Sequence, residues 1–184
     1  GRRQLNLNTK VLNMSKRAAK ANAKLPLPET VWAFSTDWGV WQATATAQGI
    51  SSLNWPAKSR KSQPLPTGPS NRHLQKLAKE LTEYCAGKRR AFTIALDMTK
   101  YSEFRQKVWA ELRKIPYGQT ATYGEIAARV GCGSARAVGQ ACGANPAPVL
   151  TPCHRVVASA GLGGFSGGLA IKRRLLSLEQ ATPR

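Results

Sequence analysis

From Val31 to Trp55 the chain reads "VWAFSTDWGVWQATATAQGISSLNW", in which apolar and polar positions alternate, most cleanly in "VWQATATA". Period-two alternation in a β-branched and aromatic stretch predicts half-buried strands. The turn signals Asp37-Trp38-Gly39 and Gln48-Gly49 divide it into a meander. A Pro-, Ser- and Lys-rich segment over 56–70 follows and predicts a loop. The pattern then changes to helical spacing. Leu74, Leu77, Leu81, Tyr84 and Cys85 share one face of a predicted helix that stops at Gly87. "AFTIALD" over 91–97 predicts a last strand.

The second half is mainly helical. Phe104, Val108, Trp109 and Leu112 fall at helical spacing behind Ser102, a good N-cap. "YGEIAARV" and "SARAVGQACGAN" predict two short helices joined by the tight "GCG", the layout of a helix-turn-helix. "GGLAIKRRLLSLEQ" predicts a terminal basic helix. The fold class expected is α+β. Residues 29–97 form a small domain with a three-stranded antiparallel sheet plus a helix, and residues 98–184 form a mainly helical domain.

Charge narrows the partners. The 184 residues carry 28 Lys and Arg against 9 Asp and Glu, a formal charge of +19. Such a field attracts polyanions, so nucleic acid leads and a solvated basic surface is the bland alternative. No apolar run approaches the ~20 residues of a spanning helix, and no secretory h-region is present. Residues 1–28 hold seven Lys or Arg and no acid. They are expected to be a disordered basic arm, with a targeting presequence or sequence upstream of a start at Met14 as alternatives.

The cysteines Cys85, Cys132, Cys142 and Cys153 form no C-x-x-C pair, and only His73 and His154 could join them. That spacing does not suit zinc, so no metal and no cofactor are expected. Reduced thiols in an intracellular compartment, cytoplasm or nucleus, are expected.

Two stretches carry candidate chemistry. Ser134 can cap the second helix of the pair, leaving Ala135, Ala137 and Gly139 as a small-residue stripe from which Arg136 projects. Tight helix packing would explain the stripe as well, but the charge and the helix-turn-helix favour DNA. An arginine among alanines suits insertion into a duplex. In "NPAPVLTPCHRVV" (145–157), Asn145-Pro146 ends the helix, and Pro148 and Pro152 are expected to hold an extended path. Cys153 would be presented rigidly there, with His154 and Arg155 able to activate a thiol whose ordinary pKa is about 8.5. Neighbours in an extended segment face opposite ways, so a water or a bend must link Cys153 to His154. Glu179 is the natural acid to orient the imidazole. An inert buried thiol is the plain alternative.

"TPCHRVV" resembles the acceptor motif of the O6-alkylguanine-DNA alkyltransferases. "FRQKVWAELRKIPYGQTATYGEIAARVG", "ARAVGQACGANPAPVLTPCHRVV" and "GGFSGGLAIKRRLLSLE" follow that family's pattern in order, covering Phe104 to Glu179. The resemblance implies a suicide DNA-repair transferase acting on O6-alkylguanine, and on O4-alkylthymine, in double-stranded DNA as a monomer. It implies Cys153 as acceptor, His154 as base through a water, Glu179 holding the imidazole, Asn145 bracing the turn and Tyr123 as proton donor to the leaving guanine. Arg136 would fill the stack when the nucleotide flips out into the protein. Thr122, Ala135, Ala137, Gly139 and Arg155 would accompany it at the DNA face in the minor groove. Phe165, Ser166, Pro148 and Val156 would line the base pocket, and Gly163, Gly164, Gly167 and Gly168 suggest a roomy lip.

Some positions depart from the family pattern. The turn in "VGCGSARAVG" and the loop "ASAGLGGFSGG" are each one residue short, Phe165 replaces a frequent tyrosine, and Thr151 replaces an apolar residue. The cysteine cluster of the family's zinc-bearing phosphotriester-repair domain is missing. A non-catalytic alkyltransferase-like damage sensor is the main alternative, and such proteins lack the acceptor cysteine. A helix-turn-helix regulator and a cysteine hydrolase are weaker ones.

Overall fold

The computed structural model describes residues 28–57, 60–68 and 70–180. The expected basic arm therefore lies, apart from Pro28, outside the described residues. Three strands form an antiparallel sheet in the order β1 (Thr30–Thr36), β2 (Gly39–Ala45) and β3 (Ile50–Ala57). β1 and β2 pair in continuous register from Thr30↔Ala45 to Thr36↔Gly39, so the Asp37-Trp38 turn sits where the sequence places it. Trp41, Ala43 and Ala45 alternate inward along β2 and are fully buried.

The helix α1 (Asn71–Cys85) lays Leu74, Leu77, Leu81 and Tyr84 on that sheet face. "AFTIALD" is not the strand its composition predicts: only Leu96 makes a bridge, to Ile50. Side chains of α1 occupy the backbone groups a strand would have used. Thr93 N–H and Oγ1–H donate to Glu80, and Lys76 Nζ donates to Thr93 O. At Gly49 a Cβ would come within 2.6 Å of Ala95 O, so only glycine lets this segment pass so close.

The second half comprises α2 (Glu103–Arg113), β4 (Ala121–Thr122), α3 (Tyr123–Val130), α4 (Ala135–Gly143), a 3₁₀ turn at Cys153–Arg155, β5 (Val156–Val157) and α5 (Leu169–Leu178). Val108, Trp109 and Leu112 of α2 are buried as their spacing predicts. Phe104 is not; it sits in the first turn at 37% exposure, beyond the reach of the core. Thr122 and Glu125 form a capping box at the start of α3, and Gly131 ends the helix in the left-handed region at φ 70°. Ser134 Oγ accepts from Ala137 N at 3.2 Å and so caps α4. Trp109 Nε1 donates to Ala141 O at 2.8 Å, fixing α4 on α2.

One apolar cluster runs from Phe34 to Leu175 and joins both halves of the chain. β3 extends this contact to the loop that precedes Cys153, since Leu53 N–H donates to Pro146 O at 2.8 Å. No helix among the described residues is long and apolar enough to cross a membrane.

Candidate functional site

The site begins with a short parallel ladder. β4 pairs with β5 as Ala121↔Val156 and Thr122↔Val157. The residues that open α3 are thereby held beside those that follow Cys153. Tyr123 and Cys153 consequently meet in one cavity of about 510 Å³. Ala135, Arg136, Gly139, Gln140 and Cys142 of α4 form one wall, and Gly164, Phe165 and Ser166 form the opposite lip.

The loop leading to Cys153, expected to be extended, is bent. Val149 adopts φ 73°, a conformation that costs a β-branched residue about 1–3 kcal/mol. Neighbouring bonds impose it: Thr151 N–H donates to Ala147 O at 2.9 Å. Asn145 binds the same loop three ways. Its Nδ2 donates to Thr151 O at 2.8 Å and to Cys153 Sγ at 3.1 Å, and its Oδ1 accepts from Ala147 N at 3.0 Å. In the 3₁₀ turn that begins at Cys153, His154 is buried and does not line the cavity.

His154 is fully buried. Its Nε2 lies 2.8 Å from Glu179 Oε1. Burial lowers the pKa of the imidazole despite the attraction of Glu179, so the ring is neutral near pH 7. A carboxylate can only accept, which places the proton on Nε2 and leaves a lone pair on Nδ1. Nδ1 is buried and without a hydrogen-bond partner among the described residues. Burial pushes the Glu179 carboxyl up, but hydrogen bonds from His154 and Arg155 and the Arg155 charge overcome it and hold the carboxyl well below its usual range.

Arg155 was expected on the DNA face, and the fold puts it elsewhere. It is buried, with Nε and Nη2 on Glu179 at 2.8 and 2.9 Å and Nη1 on Ile115 O at 2.7 Å. A guanidinium needs such partners to be buried at all. Val156, expected in the base pocket, has its side chain in the core next to the β4–β5 ladder. Pro148 lines a neighbouring groove that shares Ser166 with the cavity, and Ala137 is absent from the cavity wall. Thr122 uses its hydroxyl as the α3 cap, accepting from Glu125 N at 3.1 Å. Gly163 and Gly167 are close-packed rather than roomy: a Cβ there would come within 2.9 Å of Tyr123 and 2.8 Å of Trp55.

Two contributors escaped the sequence reading. Lys172 of α5 is fully buried, and its ammonium donates to Val156 O at 2.7 Å, Gly164 O at 3.2 Å and Leu162 O. It therefore clamps the pocket lip to the segment that follows Cys153. Its spacing from Leu175, Leu176 and Glu179 is that of one helix face, a signal hidden by the adjoining Arg173 and Arg174. Tyr84, read only as core, donates its hydroxyl to Glu179 Oε1 at 2.6 Å.

Burial raises the pKa of the Cys153 thiol, while Asn145, the Lys172 charge and backbone N–H groups pull it back. The thiol is thus protonated at rest, yet set among groups that favour the thiolate. Tyr123 is pushed up to about 12, first by burial and then by the Cys142 and Cys153 charges, so it keeps its proton. Its hydroxyl donates to Gly164 O at 3.2 Å.

The sequence profile described as "6-O-methylguanine DNA methyltransferase, DNA binding domain" matches residues 103–181. The fold matches the crystal structure of the Mycobacterium tuberculosis O6-methylguanine methyltransferase with a TM-score of 0.68 and 33% identity, covering 85% of this chain and 96% of that one. The chain belongs to the 6-O-methylguanine-DNA methyltransferase family. A Mycolicibacterium paratuberculosis protein named methylated-DNA–protein-cysteine methyltransferase is 50% identical over 103 residues, 55% of this chain. That match spans 62% of the relative's length. The M. tuberculosis OGT solved in complex with DNA is similar too, with a TM-score of 0.69 and 35% identity over 80% of this chain and 91% of that one. For a member of this family, the α+β architecture and the cavity around Cys153 are the features to explain.

Proposed function

We propose that this protein repairs O6-alkylguanine in duplex DNA by moving the alkyl group to its own Cys153, once per molecule. The observation that carries the reading is the arrangement around Cys153, which lines the cavity. A thiol bonded by Asn145 is followed in the chain by a neutral imidazole, whose far nitrogen is held by Glu179.

In this mechanism His154 Nδ1 takes the Cys153 proton through a water, and Glu179 stabilises the imidazolium that results. The Cys153 sulfur attacks the alkyl carbon in line, the carbon–oxygen bond breaks, and the electron pair leaves with the guanine. Tyr123 donates the proton that makes guanine a better leaving group. A thioether has no easy return to thiol, so the protein is consumed.

The base must leave the duplex to reach a buried thiol, which costs a few kcal/mol. Arg136, exposed at the first turn of α4 and on the cavity wall, fills the vacated stack. Ala135 and Gly139 leave room for the backbone of the flipped nucleotide, and Phe165 stacks beside the base. Residues 98–184 carry the reaction and 29–97 buttress it. O4-alkylthymine, which places an alkylated oxygen at an equivalent ring position, is a second substrate, and the protein acts as a monomer.

The test is intact and peptide mass spectrometry after reaction with excess duplex carrying O6-methylguanine. One methyl per chain on the Cys153 peptide, absent in Cys153→Ala, is the expected result. No methyl, with tighter binding to the lesion duplex than to plain DNA, would make the protein a damage sensor instead.

A further inference from the structure

The cavity that receives the alkyl group has a second thiol in its wall. Cys142, near the C-terminal end of α4, lines the same space as Cys153. Both are unpaired. Burial first, and charge on Cys153 second, push the Cys142 thiol up to about 12, while the Lys172 ammonium favours both thiolates. Transfer of a simple alkyl group uses one thiol and gives the other no task. Cys142 belongs to the buried apolar cluster and at the same time borders the space in which the reaction takes place.

We infer that, within the transfer proposed above, Cys142 captures the far end of bifunctional alkyl groups, so that a lesion carrying a second leaving group ends as a bridge between Cys153 and Cys142. The substrate class is a guanine whose O6 substituent is electrophilic at both ends. In the first step the Cys153 sulfur bonds the carbon attached to O6. That carbon–oxygen bond breaks, and the guanine leaves with the electron pair and a proton. In the second, Cys142 loses its proton to solvent and its sulfur bonds the distal carbon. The carbon–halogen bond breaks and the halide departs with its electron pair. The products are guanine, halide, a proton and two thioethers.

The order of events follows from the site. Once alkylated, Cys153 can no longer ionise, so no charge can form on it to oppose the Cys142 thiolate, which Lys172 still favours. The second displacement is then intramolecular, and well-oriented reactions of this kind reach effective molarities of about 10⁵ M or more. Water and DNA nucleophiles are outcompeted, and a covalent protein–DNA crosslink is avoided.

The test uses a duplex containing O6-(trans-4-chlorobut-2-enyl)guanine, whose trans alkene keeps the chloride away from its own guanine ring. A parallel reaction uses the O6-methylguanine duplex. Both cysteines lie in one tryptic peptide, residues 137–155, so fragmentation locates a bridge directly. The expected product carries the butenylene unit without chlorine, shows no fragments between Cys142 and Cys153, and has lost two iodoacetamide-reactive thiols after unfolding. The methyl duplex removes one. Cys142→Ser, read at completion, is expected to keep a chloro- or hydroxybutenyl group on Cys153 or to crosslink to DNA. Wild-type protein that accepts methyl but ends with a hydroxybutenyl group and a free Cys142 would overturn this inference and leave the transfer intact. Failure to accept methyl would overturn both. Should Cys142→Ser not fold, the wild-type fragment pattern still decides.

Discussion

Tyr84 Oη lies 2.6 Å from Glu179 Oε1, a hydrogen bond between residues 95 positions apart. It connects the helix of the N-terminal half to the carboxylate that holds His154. Glu179 Oε1 also accepts from His154 and Arg155, and Oε2 accepts from Arg155 and Gly118 N. The position of the His154 imidazole is therefore set by residues from both halves of the chain.

Tyr84→Phe removes one donor to a charged acceptor and leaves the others. A stability loss of about 1.5–3 kcal/mol is expected, read as a lower urea midpoint with an unchanged slope. Methyl transfer slows but survives. An unchanged midpoint would mean that the hydroxyl contributes nothing to holding Glu179.

Stability falls with acid in two stages. His154 has a folded pKa below 6.5, so the unfolded chain binds its proton first and stability declines as pH drops below about 6.5. Glu179 has a folded pKa below 4.5, so its contribution is present above that value and is lost as pH falls below it. Urea midpoints from pH 8 to pH 3 should decline gently and then steeply, and Glu179→Gln should remove the steep part. That substitution breaks a buried ion pair and is expected to cost about 3–5 kcal/mol at neutral pH.

Tyr123→Phe keeps the ring and removes the proton donor. Single-turnover transfer is expected to drop about 10²-fold or more, as loss of a general acid does. Because the Tyr123 pKa is pushed up to about 12, wild-type transfer should show no fall between pH 8 and pH 10. A fall in that range would assign the donor elsewhere.

Arg136→Ala should lose most transfer on duplex DNA and much less on the free alkylguanine base, because only the duplex needs its stack refilled. Equal losses on the two substrates would count against the inserted role.

Lys172→Met keeps length and burial and removes the charge. Two effects are expected: a rise in the pKa of the Cys153 thiol, read by iodoacetamide reaction rate against pH, and weakened closure of the lip at Gly164. Unchanged thiol titration would reduce Lys172 to a structural clamp.

The sequence by itself determined the strand meander, the helices and the Ser134 cap, because these rest on local periodicity and on a hydroxyl that satisfies a nearby backbone group. Ser102 stands at its N-cap position without a side-chain bond. The sequence also singled out Cys153 and His154 from one short stretch, while Asn145, Tyr123 and Arg136 rest on the family pattern and are gathered near Cys153 only by the fold. It misjudged "AFTIALD", because strand pairing depends on what lies alongside, and here Glu80 and Lys76 of a helix took the backbone bonds. Arg155 could not be placed from its charge. Whether an arginine meets a phosphate or a carboxylate depends on which partner the fold delivers, and Glu179 comes from 24 residues away. The same holds for Tyr84 and Lys172: a buried polar group is stable only when distant parts of the chain supply its partners, and only the tertiary structure decides that.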